Sequence, residues 1–202
     1  MEELENDIIV IGYYTLFTPY ESEAQKLIDS CKKLNVRYDI QGVQNLGSWQ
    51  SNTRFKAKFI LDILDKYPGK KLIYVDCDAV IHKPLTELLN CNADIGVRYQ
   101  DFRWRENECL SGTIFIKSSE KTKKLCQRWI EINIAEGPNA TTFEQWNLDK
   151  AIQELIISDG LVLENLRPEM CFIFDLMRQI YPNADPVIEH FQASRKFRNK
   201  IF

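Results

Sequence analysis

Hydrophobic residues recur along this chain with two different periods. Ile8, Ile9, Val10 and Ile11 form a β-branched run that stops at Gly12 and reads as a buried first strand. Ala24, Leu27, Ile28, Cys31 and Leu34 then recur every three to four positions, the spacing of one helical face. Ahead of them, Thr18, Pro19 and Glu21 offer an N-cap hydroxyl, a first-turn proline and a first-turn acid. Residues 36–40 read as a second strand. A loop with Gly42, Asn45 and Gly47 leads to a second helix over 53–65. There Phe55, Phe59, Ile63 and Tyr67 share one side, while Arg54, Lys58, Asp62 and Asp65 make a polar stripe. Tyr67, Pro68 and Gly69 end that helix, and a third strand begins at Lys71. Further strands are predicted at 93–97, 111–117, 161–163 and 186–190, with helices near 119–134 and 142–157.

The opening order β-α-β-α-β predicts an α/β protein: a Rossmann-like single domain over residues 1–202, with a mostly parallel central sheet flanked by helices. In such sheets ligands gather at the carboxyl ends of the strands. Composition narrows the function classes. With 45% hydrophobic and 27% charged residues the chain reads as an ordinary globular protein. A net charge of -3 gives no overall case for nucleic-acid or membrane-surface binding. No apolar run is long enough for a spanning helix. Six cysteines without a C-x-x-C pair, behind an acidic N-terminus lacking a signal-peptide pattern, suit reduced thiols in the cytoplasm.

The third strand carries the sharpest chemistry. Leu72, Ile73, Tyr74 and Val75 run into Asp76 and Asp78, two carboxylates separated by one residue. On a strand, positions i and i+2 face the same side, about 6–7 Å apart. Two like charges at the edge of a core repel, and a divalent cation removes that cost. Asp76 and Asp78 are therefore candidate metal ligands. A solvated turn is the plain alternative. Asp-x-Asp-x-Val also fits the nucleophile motif of haloacid-dehalogenase-type phosphatases, but that motif follows a first strand, whereas two β-α units precede this one. A pair that holds a cation against a nucleotide diphosphate needs such preceding units to cradle the nucleotide.

Four stretches carry a family resemblance: 75–80 around Asp76 and Asp78, 110–115 with Ser111 and Gly112, 187–195 with His190, and 47–56. Together they resemble compact bacterial and phage nucleotide-diphospho-sugar transferases. More distantly, the chain is similar to the glycogenin-like retaining glycosyltransferases of the GT-A fold. The resemblance implies a GT-A domain that moves a hexose from a nucleotide-diphosphate sugar, a UDP-sugar first of all, to a hydroxyl acceptor. It implies Mn²⁺, or Mg²⁺, held by Asp76, Asp78 and His190. By its own position a lone His at a strand end, such as His190, is more often structural than a ligand, and it is the resemblance that reverses this; His82 reads as a loop residue. The acceptor stays open among glycan, small molecule, protein and modified nucleic acid.

The same resemblance places Tyr13, Tyr14 and Thr15 near the nucleobase and ribose, and Ser111 and Gly112 near the donor sugar. Either tyrosine is equally explained by packing. Arg54 and Lys58, one turn apart, are candidates for phosphate or sugar contact, or for surface pairs with Asp62. Trp49, Gln50 and Asn52 read as a loop suited to sugar contacts. Arg195 and Lys196 are candidates for the cation on the diphosphate; the family's usual Gly-x-x-Lys-Pro-Trp ending is replaced by Ala193, Ser194, Arg195, Lys196 and Phe197. Glu144 and Gln145 resemble the family's Asp-Gln pair and are candidate catalytic groups. Thr141 with Glu144, and Thr142 with Gln145, also read as capping boxes. Phe102, Arg103, Trp104 and Arg105 form a possible acceptor-side segment. A binding module without turnover is the remaining alternative.

Overall fold

The computed structural model describes residues 8–103, 105–137 and 140–201, with side chains to residue 197. Trp104 lies outside the described residues. In chain order the elements are β1 (Ile8–Thr15), α1 (Tyr20–Lys33), β2 (Tyr38–Val43), α2 (Trp49–Lys66), β3 (Lys71–Val75) and β4 (Ala79–Ile81). They continue with α3 (Thr86–Asn90), β5 (Ile95–Phe102), β6 (Arg105–Lys117), α4 (Glu120–Ala135), α5 (Glu144–Asp159) and β7 (Leu163–Asn165). A 3-10 turn at Pro168–Met170, β8 (Phe172–Ile173), α6 (Leu176–Ile180), β9 (Ile188–His190) and α7 (Ser194–Ile201) follow.

The main sheet has the order β2-β1-β3-β6-β5-β7. β1 runs parallel to β2 and β3, and β5 parallel to β7. β6 is antiparallel to both its neighbours. The mixed α/β sheet is therefore mostly parallel, as expected, with one reversed strand at its centre. Strand alternation sends side chains to two cores. Ile9, Ile11, Leu72 and Tyr74 pack under α2, α4 and α5. Ile8, Val10, Ile73 and Val75 meet Leu27 and Cys31 of α1 on the other face. Gly12 lets β1 and β3 approach, since a Cβ there would stand 2.7 Å from the Val75 carbonyl oxygen.

Several boundaries differ from the sequence reading, each for a local reason. α2 begins at Trp49 because Ser48 caps it, its hydroxyl accepting the Ser51 N–H at 3.0 Å. Trp49, Gln50 and Asn52 therefore belong to the first turn of a helix, not to a loop. The strand predicted at 93–97 extends to Phe102 and pairs with a β6 that starts at Arg105. Arg98, Gln100, Asn107 and Glu108 break the apolar run there, which hid the hairpin. Leu161 turns into the core instead of starting β7. Among the described residues no helix is long and apolar enough to cross a membrane.

Candidate active site

β3 ends at Val75, and Asp76, Cys77 and Asp78 lie in the connection to β4. Strand alternation stops applying there, and the two carboxylates take different partners. Asp76 Oδ1 accepts the Tyr74 hydroxyl at 2.9 Å and faces Lys56 Nζ at 3.1 Å. Asp78 Oδ2 accepts the Ala193 N–H at 2.7 Å, in the link from β9 to α7. Burial and the nearby Asp76 charge push the Asp78 carboxyl up to about 7.

His190 reaches this turn through the second sheet, β4-β9-β8, in which it pairs with Ala79 and Ile173. Its ring is buried and packs on Gly112, where a Cβ would stand 3.0 Å from Cε1 and 3.1 Å from Nδ1. Nε2 lies 2.8 Å from Thr113 Oγ1. Burial lowers the imidazole to about 4, so it is neutral near pH 7.

Two carboxylates and a neutral imidazole are a donor set suited to Mn²⁺ and tolerant of Mg²⁺. The cost of ionising Asp78 beside Asp76 is the kind of cost a divalent cation relieves. The three side chains line one cleft without being gathered to coordinating distances; among the described residues no three His, Cys, Asp or Glu groups are so placed.

Lys56 is the functional candidate that the pattern reading passed over. It is 2% exposed. Its ammonium donates to Glu144 Oε1 at 2.7 Å and to the Ser111 carbonyl and hydroxyl oxygens, both at 3.1 Å. Burial pulls its pKa down, yet Asp76 and Glu144 outweigh that and hold it charged, above the usual lysine range. One signal was legible: Lys56 falls on the apolar face of α2 with Ala57, Phe59, Ile60 and Ile63, where a surface lysine has no place. Glu144 also accepts the Ser111 hydroxyl at 2.7 Å. Phe143 is the N-cap of α5 and no side chain caps that helix, so neither threonine capping box forms. Gln145 donates from its side chain to Glu108.

The cleft has a volume of about 720 Å³ and opens at the carboxyl ends of β1 and β3. Tyr14, Thr15, Asp76, Asp78, Ser111, Gly112, Glu144, Gln145, His190 and Arg195 all line it. Tyr13 reaches its floor but is a core residue, packed on Phe55 and Phe59 with its hydroxyl donated to the Asn52 carbonyl at 2.6 Å. Three expected contacts do not reach the cleft. Arg54 points the other way, tied to the Gly137 carbonyl at 3.1 Å and to Glu136 Oε2 at 2.6 Å, because it holds α2 to the end of α4. Lys58 is exposed and pairs with Asp62, one turn on. Lys196 is exposed outside the cleft, whereas Arg195 lies on the rim and pairs with Asp175.

Residues 27–202 match the nucleotide-diphospho-sugar transferase family, and the chain belongs to it as a glycosyltransferase of the GT-A type. The fold is shared with solved glycosyltransferases. One, described as involved in glycosylation of the major capsid of PBCV-1, superposes with a TM-score of 0.68 at 14% identity over 95% of this chain and 97% of its own. The apo form of GlyE from Streptococcus pneumoniae TIGR4 gives 0.63 at 14% identity, over 91% of this chain and 54% of GlyE. The galactosyltransferase LgtC, solved with donor and acceptor sugar analogues, gives 0.58 at 10% identity, over 91% and 87%. No curated protein matches the sequence. Membership of a transferase family removes the phosphatase alternative, and Asp76, engaged by Lys56 and Tyr74, is not disposed as a free nucleophile.

Proposed function

We propose that this glycosyltransferase moves a hexose from a UDP-sugar to a hydroxyl acceptor, with a divalent cation and with retention at the anomeric carbon. The observation that carries this reading is the convergence of Asp76, Asp78, His190 and the Lys56–Glu144 pair on one cleft. Its volume falls within the range of small-ligand sites. Tyr14 and Thr15 would flank the base, and Ser111 and Gly112 the donor sugar. Asp76, Asp78 and His190 would hold Mn²⁺ or Mg²⁺, which would offset the negative charge gathering on the departing diphosphate. Arg195 adds positive charge at the rim for the same purpose.

The bond from the anomeric carbon to the diphosphate oxygen breaks as the acceptor oxygen bonds to that carbon. The acceptor proton passes to the departing diphosphate on the same face. Glu144 supports this route because Lys56 and Ser111 hold it, so it acts in shaping the site and not as a nucleophile. Six free thiols suit a reducing compartment, and we assign the protein to the cytoplasm on that ground. The test is a thermal-shift screen of UDP-, GDP- and CDP-glucose and galactose, each with and without Mn²⁺. A Mn²⁺-dependent rise with the UDP-sugars alone is expected; equal shifts with all three nucleotides, or none with Mn²⁺, would overturn the assignment.

A further inference from the structure

Phe143 occupies the N-cap of α5, where Ser, Thr, Asp or Asn is favoured, and two threonines precede it without capping the helix. It is 41% exposed. A large exposed ring where local chemistry calls for a hydroxyl is a departure of the kind that concentrates at functional sites. Phe143 meets Trp49, the first residue of α2, with centroids 6.0 Å apart and planes at 83°. It meets Trp146 at 5.2 Å and 84°. All three rings line the cleft.

This aromatic ledge has a fixed polar rim. Trp146 Nε1–H donates to Glu108 Oε1 at 2.9 Å, and the Arg105 guanidinium lies 4.3 Å from the Trp146 ring centroid. Gln145 donates to the same Glu108 oxygen, and Arg105 Nε is 3.3 Å from Oε2. A ligand that met only the apolar rings, such as a lipid chain, would desolvate this rim without pairing it. A nucleic acid would meet Arg105 facing Glu108 and, on the rim, Arg195 paired with Asp175, so both accessible cations of the cleft are already matched by carboxylates, which is no phosphate-binding surface. A pyranose ring matches both halves, with C–H groups on its face and hydroxyls around its edge.

We propose that the Trp49–Phe143–Trp146 ledge is the acceptor subsite and that it takes a saccharide. One ring packs on the aromatic groups, its hydroxyls meet the Glu108 and Gln145 rim, and Phe143 decides the preference for a sugar. The inference rests on the donor reading above, which assigns Asp76, Asp78, His190, Ser111 and Gly112 of the same cleft to the nucleotide sugar.

Saturation-transfer NMR on the full chain, with UDP and Mn²⁺ present, tests it with maltose, cellobiose and lactose as probes. An oligonucleotide carrying hydroxymethylated cytosine serves as the competing class. At least one disaccharide is expected to bind, and Phe143→Ala to raise its Kd about tenfold or more while the UDP Kd moves by about twofold at most. Phe143→Tyr should keep saccharide affinity and Phe143→Leu should lose it, which separates an aromatic ring from apolar bulk. Trp49→Leu gives the same readout should Phe143→Ala fail to fold. UDP binding with no disaccharide bound, the oligonucleotide bound in their place, or saccharide affinity unmoved by these variants overturns the subsite alone. Failure of the wild-type protein to bind UDP overturns the donor reading and the subsite with it.

Discussion

The ammonium of Lys56 stands 3.1 Å from the carboxylate of Asp76 and 2.7 Å from that of Glu144, so one buried cation joins the Asp-x-Asp turn to the start of α5. Lys56 and Glu144 are both buried, so Glu144 without Lys56 keeps an uncompensated charge, whereas Lys56 without Glu144 still faces Asp76. Lys56→Met is expected to cost ~3–5 kcal/mol in urea unfolding. Glu144→Gln should cost less, because its amide oxygen still accepts from Lys56. The double variant should recover ~1–3 kcal/mol relative to the sum of the singles. Strict additivity would deny the coupling.

Asp78 is held differently from Asp76, and its replacement should separate folding from donor binding. In Asp78→Asn the amide oxygen still accepts the Ala193 N–H, and the repulsion from Asp76 disappears. The metal-free variant should melt no lower than wild type. Its UDP affinity in Mn²⁺ should fall about tenfold or more, as expected for a lost charged contact. Titration calorimetry that finds the Mn²⁺ dependence intact would remove Asp78 from the donor site.

Thr113 and Gly112 set the His190 ring. In the tautomer whose Nε2–H donates to Thr113 Oγ1, Nδ1 carries the free lone pair. Thr113→Val should weaken Mn²⁺-dependent UDP binding about 10–100-fold, the usual effect of losing a partner that orients a ligating histidine. Gly112→Ala should produce a comparable loss by displacing the ring, since the new Cβ would sit 3.0 Å from Cε1. Unchanged Mn²⁺ dependence in both variants would mean that His190 is only a packing residue.

Arg54 and Lys58 lie one turn apart on α2, and the structure gives them unequal weight. Arg54 is tied to Glu136 and to backbone carbonyls of the α4–α5 connection, whereas Lys58 pairs at the surface. Arg54→Met should lower stability by ~2–4 kcal/mol and leave UDP affinity within about twofold of wild type. Lys58→Ala should cost at most ~0.5 kcal/mol. Loss of UDP affinity without loss of stability in Arg54→Met would restore it to the donor site.

Much of the scaffold is legible because strands and helices follow local rules. The β-branched run of β1, the apolar run of β3 and the three-to-four spacing of α1 each carry their own periodicity. The β5–β6 hairpin was less legible, since Arg98, Gln100 and Glu108 interrupt the apolar pattern while still pairing across the ladder. Glu144 was ambiguous for a similar reason: a Thr-x-x-Glu spacing is the same string whether the acid caps a helix or reaches Lys56.

Sequence alone determined the Asp-x-Asp pair, its place after two β-α units, the late His190 and the family to which these belong. It did so because spacing and order along a strand depend on near neighbours. Tertiary structure alone decided that Lys56, and not Arg54 or Lys58, enters the cleft. It also decided that Asp76 and Asp78 part company at the strand end, and that Trp49, Phe143 and Trp146 share one wall. Those outcomes depend on partners far apart in the chain, Lys56 with Ser111 and Glu144, and Asp78 with Ala193. Burial then sets their charge and geometry, and no local pattern records it.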